Sequence, residues 1–215
     1  MKKSKLISLC LLAGFIFCSV ATNAQESKTK FRYGAIGVYA SPLGSNDIFR
    51  FKSIEGGGSY KNDGSYAFGV SYMYQLSKYF DIETGIDCSI HNTISSYSIP
   101  PDIIYDPFLL SLSFKEKVQI ISIPITVRVN FWSYFFANGG AILSFDISKY
   151  NAIQTQTGLG AMLGVGAKYD FNSGLSIFVN PYVKMHTLVP FSSGNHHQRV
   201  WENGIRIGVT YGLEK

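Results

Sequence analysis

From residue 31 onward the chain reads as eight strand-like runs whose seven connections alternate long and short. The long connections run at about 42–64, 92–117, 146–157 and 189–203. The tight turns fall at Ser77-Lys78-Tyr79, near Trp132-Ser133 and at Asn172-Ser173-Gly174. A soluble sheet has no reason to gather every long loop at one end and every tight turn at the other. A transmembrane barrel does, with short turns on one side of the membrane and longer loops on the other. The pattern predicts an all-β protein, an eight-stranded antiparallel up-and-down transmembrane β-barrel over residues 31–213.

The strand faces support that reading. Strand two sets Tyr66, Phe68, Val70, Tyr72, Tyr74 and Leu76 against Ala67, Gly69, Ser71, Met73 and Gln75. That is period-two alternation over about eleven residues, enough for a tilted strand to cross a bilayer. Strand three alternates from Phe80 to Ile90, strand four from Ile121 to Phe131, strand six from Gly158 to Phe171 and strand eight from Gly204 to Leu213. Strands five and seven are noisier. The expectation there is Leu143, Phe145, Ile177, Val179 and Val183 outward, with Asn138, Asn180, Lys184 and His186 inward. Strand one is ambiguous, because Ile36 and Val38 compete with Tyr33 and Tyr39 for the outer face.

One face is large and apolar; the other is glycine, serine and scattered charge. A soluble ligand-binding barrel needs the reverse, an apolar interior and a wet exterior. The apolar set must therefore meet hydrocarbon, and closure removes the unpaired edges that lipid would not tolerate. Aromatics crowd the short-turn end: Tyr74, Tyr79, Phe80, Phe131, Trp132, Tyr134, Tyr169, Phe171 and Tyr211. Such a girdle belongs at a membrane surface, and that end is assigned to the periplasm. Pro124 and Pro181 lie inside strands, where each removes a ladder donor, so a bulge or a lost bond is expected at each.

The inward set includes Asp81, Glu83, Asp87, Arg128, Lys168, Asp170, Lys184 and Arg206. Charges in so narrow a lumen must pair or stay wet. Glu83 and Asp87 are expected to reach Arg128, Lys168 or Arg206, and with Lys184 these form the candidate lumen charge cluster. A proton or ion path is one reading. A salt-bridge plug is the favoured one, since eight strands leave room only for side chains.

The chain opens like an export signal. Lys2, Lys3 and Lys5 precede an apolar run from Leu6 to Val20, and Thr22-Asn23-Ala24 offers a small residue before a cut at Gln25. The run is shorter than the ~20 residues of a spanning helix. The expected organisation is a signal peptide over 1–24, a short lead over 25–30 and one barrel domain over 31–213, with nothing appended. Removing the leader lowers the net charge from +5 to +2, with no basic run suited to nucleic acid. Only Cys88 then remains, so no intrachain disulfide is expected, and it falls on an apolar face as a small hydrophobe.

The stretch Ile121-Ser122-Ile123-Pro124-Ile125-Thr126-Val127-Arg128, with Phe136-Ala137-Asn138-Gly139-Gly140 and Gly158-Leu159-Gly160-Ala161, resembles the small outer-membrane β-barrel proteins of Bacteroidetes-type bacteria, the PorT-like family. The resemblance covers nearly all of the mature chain. It implies that Pro124 is a tolerated feature and that an accessory role in protein export is an alternative function.

No catalytic, cofactor or metal site is expected. His186 near the rim, with Ser192-Ser193 and His196-His197, invites a lipid A hydrolase or acyltransferase alternative, but no local motif places a nucleophile beside its base. His196-His197 lacks the further ligands of a metal site. Gly56-Gly57-Gly58 has no following helix to cradle phosphate. Two loops carry apolar groups: Ile48, Phe49 and Phe51 in the first, Ile99 to Tyr105 in the second. Either they pack on the barrel's own extensions or they form a partner surface. The expected role is therefore non-enzymatic, a monomer embedded in outer-membrane lipid. Four external loops would serve envelope structure or meet a protein or glycan ligand.

Overall fold

The computed structural model of the protein describes residues 34–50, 59–98, 111–149, 155–192 and 198–213. Eight strands follow in order: β1 (Gly34–Arg50), β2 (Ser59–Gln75), β3 (Phe80–Ser98), β4 (Ser111–Phe131), β5 (Phe135–Asp146), β6 (Gly158–Asp170), β7 (Leu175–Pro190) and β8 (Gln198–Leu213). Each pairs antiparallel with the next, and β8 closes on β1, for example through Val38↔Val209. The all-β, eight-stranded up-and-down barrel is what the strand rhythm predicted.

The outer face is apolar and the inner face is not. In β4, Ile125 and Val127 are 59% and 46% exposed, while Thr126 and Arg128 between them are 2% and 3% exposed. Burying Thr and Arg while leaving Ile and Val uncovered makes sense only where the surroundings are hydrocarbon. β1 follows the same rule: Ile36 and Val38 face out, and Tyr39 is buried in the lumen. Its rival Tyr33 lies outside the described residues. β5 and β7 obey it too, with Phe145, Ile177 and Val179 exposed and Asn138, Asn180, Lys184 and His186 buried.

The tight turns gather at one end. Leu76–Tyr79 is closed by Ser77, whose Oγ accepts from the backbone N–H of Tyr79 and Phe80, both at 3.2 Å. At Phe171–Gly174, the Phe171 N–H donates to Leu175 O at 2.8 Å, and Gly174 takes φ 91°, a conformation that favours glycine. Trp132 heads the third turn and is 83% exposed, with its ring edge-on to Phe131 and Phe135 at 5.9 and 6.0 Å. Tyr134 stacks on Tyr169 at 6.3 Å. Phe131, Trp132 and Phe135, and likewise Tyr134, Tyr169 and Phe171, are thus groups of touching rings within the aromatic belt at this end.

One expectation needs correction. The connections placed at 42–64, 92–117 and 189–203 are shorter, because β1 runs on to Arg50, β3 to Ser98 and β8 back to Gln198. Above the apolar band both faces of a hairpin are polar or mixed, so nothing forces alternation and the strands cannot be read from it. At the prolines, where a bulge or a lost bond was expected, the structure has the lost bond. Pro124 pairs with Ile142 and Pro181 with Ile205, while on their other sides the ladders skip from Thr84↔Ile125 to Asp87↔Ser122 and from Gly164↔Tyr182 to Ala167↔Val179 without a change of register. Each proline therefore interrupts pairing on one neighbour only. The irregularities fall elsewhere, at Leu159/Ala161 opposite Met185–Val189 in β6–β7, at Ser41/Gly44 in β1 and at Asn62/Ser65 in β2. In the β6–β7 irregularity, Thr187 takes φ 54° and lies buried beside His186.

Candidate functional site

The lumen is layered. At the short-turn end sits an aromatic layer of Tyr39, Phe136 and Phe178, three side chains from three strands. Inward glycines make room for it: a Cβ on Gly166 would run into the Phe136 ring, and one on Gly208 into the Phe178 ring. Arg128 lies over the Phe136 ring at 4.0 Å, so the aromatic layer also carries the first cation.

Next comes an arginine-centred layer. Glu83 accepts from Arg128 Nη2 at 3.0 Å and from Arg206 Nη1 at 3.3 Å, and all three are at least 97% buried. Arg206 also donates through Nε to Asn180 Oδ1 at 3.0 Å, and Asn180 Nδ2 donates to Asn138 Oδ1 at 3.3 Å. Burying a guanidinium is costly unless its donors are met: Arg206 has carboxylate and amide acceptors, while Arg128 has Glu83 and the Phe136 ring and its Nε finds no hydrogen-bond partner.

Above it lies a carboxylate-centred layer. Lys184 Nζ donates to Asp87 Oδ1 at 2.8 Å, spanning the lumen from β7 to β3. Tyr39 Oη donates to the other Asp87 oxygen at 2.9 Å. Glu202 Oε1 accepts from Tyr182 Oη at 2.5 Å and from Lys184 at 3.4 Å. Glu202 Oε2 is approached by His186 Nε2 at 3.0 Å and by His91 Nε2 at 3.4 Å. His186 Nδ1 meets Ser144 Oγ at 3.0 Å, and that hydroxyl meets Ser122 Oγ at 3.2 Å.

The long-loop end is capped. Val118, Ile120 and Val200 form a buried apolar cluster with Ile48 packed against it. The side chain of Gln156 ties the cap across: Nε2 donates to Gln198 O at 2.8 Å and Oε1 accepts from Val200 N–H at 3.1 Å. Ile48 thus packs on the barrel's own extension. Phe51 and Ile99–Tyr105 lie outside the described residues.

Of the six residues expected in the cluster, five converge: Glu83, Asp87, Arg128, Lys184 and Arg206. Lys168 does not. It pairs with its strand neighbour Asp170 at 3.3 Å, and both are part-exposed near the short-turn end. The parity of Lys168 is inward, but its height is below the network. Asp87 finds Lys184 instead, the residue opposite it across the ring. Glu202 falls within the 189–203 connection and His91 just past the end of strand three at Ile90, so neither is among the expected residues. Each continues the inward parity of its strand by one step, from Gly204 and Ser89, and that step was the available signal.

His186 is not at the rim but in the sealed lumen. Ser144, His186 and Glu202 form the chain of hydroxyl, imidazole and carboxylate that a hydrolase uses. Ser144 is 0% exposed, so its hydroxyl is closed to a substrate from outside the barrel. Ser192 is exposed, and Ser193, His196 and His197 lie outside the described residues. A concavity of about 1270 Å³ lies on the outer wall, lined among others by Val127, Gly139, Leu163, Pro181 and Ile205, and so faces hydrocarbon.

The model of the outer membrane protein beta-barrel domain family matches residues 10–212. None of the curated proteins matches the chain. Among solved structures, outer membrane protein OprG from Pseudomonas aeruginosa is 12% identical, with 86% of this chain and 98% of that chain covered and a TM-score of 0.48. AlkL, solved by solid-state NMR in lipid bilayers, is 12% identical, with 90% and 96% covered and a TM-score of 0.48. Ail of Yersinia pestis, solved with the heparin analogue sucrose octasulfate, is 11% identical, with 84% and 99% covered and a TM-score of 0.42. At these identities no ligand transfers from them.

Proposed function

Since the chain belongs to the outer membrane protein beta-barrel domain family, we propose that it acts without a reaction of its own, as a plugged envelope barrel presenting four external loops. Its place is the outer membrane of a Gram-negative cell. The observation that carries the proposal is the filled lumen. Three buried carboxylates, Glu83, Asp87 and Glu202, face three buried cations, Arg128, Lys184 and Arg206, at 2.8–3.4 Å. An aromatic layer closes one end of that network and an aliphatic cap the other. Ions crossing such a core would have to break several desolvated pairs at once, each break costing several kcal/mol, about 3–5. What is left to meet the outside is the loop surface, for a protein or glycan partner, with the short turns in the periplasm and the barrel acting as a monomer in lipid.

An export signal over residues 1–24 belongs to the same proposal, as does the narrower kinship to PorT-like barrels with an accessory role in secretion. That kinship rests on the Ile121–Arg128, Phe136–Gly140 and Gly158–Ala161 stretches. Reconstitution in planar bilayers tests the plug. The expected result is no stable conducting level. A long-lived open level in the wild-type protein would overturn it and return the lumen charges to an ion path.

A further inference from the structure

We propose that His91, His186 and Glu202 form a binding site for one divalent transition-metal ion of the zinc class, enclosed in the upper lumen. The three side chains come from β3, β7 and β8, and their donor atoms lie within 4.8 Å of one another. Both imidazoles aim Nε2 at the same carboxylate oxygen, at 3.0 Å from His186 and 3.4 Å from His91. Tetrahedral ligands on a metal with bonds of ~2.0–2.1 Å stand about 3.3–3.5 Å apart, so only small shifts separate the observed spacing from a coordinated one.

The surroundings suit a cation. Glu202 Oε1 is already held by Tyr182 and Lys184, which orients the carboxylate and leaves Oε2 for the ion. His186 Nδ1 is held by Ser144 Oγ at 3.0 Å, the outer-shell bond that fixes a metal-binding ring and its tautomer. The charge also fits. Asp87 and Glu202 outnumber Lys184 in this layer, whereas Arg128 and Arg206 outnumber Glu83 in the layer below. A second observation is independent of that balance: His91 Nε2, 99% or more buried, is 3.4 Å from Glu202 Oε2 and 3.2 Å from Ser89 Oγ, so its ring aims the same nitrogen as His186 into the site. Two nitrogens and a carboxylate oxygen leave a fourth position, with Ser89 Oγ 3.2 Å from His91 Nε2. An ion there would tie β3 to β7 and β8 across the lumen.

The test uses the mature barrel refolded in detergent with ZnCl2, passed over a chelating resin and assayed for zinc. One zinc per barrel is expected in the wild type and in a His196→Gln/His197→Gln variant. Loss of that zinc is expected in His91→Gln and in Glu202→Gln, with folding checked by heat-shifted gel mobility. Equal retention by a folded His91→Gln protein, or no retention by the wild type, overturns the proposal. Should the lumen variants fail to fold, cobalt(II) loading of the His196→Gln/His197→Gln protein decides. An intense four-coordinate visible spectrum supports the site, and the pale spectrum of the hydrated ion refutes it.

Discussion

Glu83→Gln isolates the ionic core, because it removes a charge and keeps the shape. Glu83 is 1% exposed and is the shared acceptor of Arg128 at 3.0 Å and Arg206 at 3.3 Å. In the variant two guanidiniums remain buried and lose their common counter-ion. Breaking one buried pair costs about 3–5 kcal/mol, mostly the penalty of the stranded charge. Some of this is offset, since Arg206 keeps Asn180 and Arg128 keeps the Phe136 ring. The new amide oxygen also accepts from one arginine. The expected loss is therefore near the lower end, ~3 kcal/mol. Adding Arg128→Met restores equal numbers of lumen charges and is expected to recover at least ~1 kcal/mol, a coupling typical of groups in one network. Equilibrium urea unfolding in phospholipid vesicles, with the folded fraction read by heat-shifted mobility, measures both. A loss below ~0.5 kcal/mol, the value of a solvent-screened surface pair, would refute the dry core. Wild-type stability would then fall with added salt as well.

Lys184→Met strands Asp87 and Glu202 together and is expected to cost at least ~3 kcal/mol in the same assay, whereas Lys168→Met breaks only a part-exposed pair and stays within ~1 kcal/mol. Equal losses would mean that the two lysines share one environment. Ile125→Arg puts a charge on the middle of the apolar face and is expected to destabilise by ~2–4 kcal/mol in bilayers; a neutral result would place β4 out of the membrane. Mass spectrometry of the protein from outer membranes is expected to give Gln25 as the first residue, and an intact leader would contradict the export reading.

The parts of the fold legible in the sequence are those where the two faces of a strand meet different media. β2 from Tyr66 to Gln75 and β8 from Gly204 to Leu213 show it, with hydrocarbon on one side and a crowded lumen on the other. Alternation fades where both faces are polar, which hid the upper arms of β1, β3 and β8, and with them His91 and Glu202. Tyr39 was ambiguous for another reason. A tyrosine satisfies either face, outward as a ring in lipid or inward where its hydroxyl finds a partner, here Asp87. Partner choice in the lumen was only partly legible. Parity tells which side chains enter, but strand tilt sets their height. Asp87 therefore meets Lys184 across the ring while Lys168, of the same parity as Met162 and Gly164, stops short at Asp170.

Cys88 and its neighbour Ser89 test the inside-out arrangement most directly, since β3 turns one outward and the other, 0% exposed, into the lumen. A small fluorophore on Cys88, in vesicles containing brominated lipid, is expected to be strongly quenched by the lipid and barely by aqueous iodide. With Cys88→Ser and Ser89→Cys, the thiol of the folded barrel is expected to stay unlabelled. Iodide quenching at Cys88, or ready labelling at position 89, would contradict a lipid-facing apolar wall around a closed polar core.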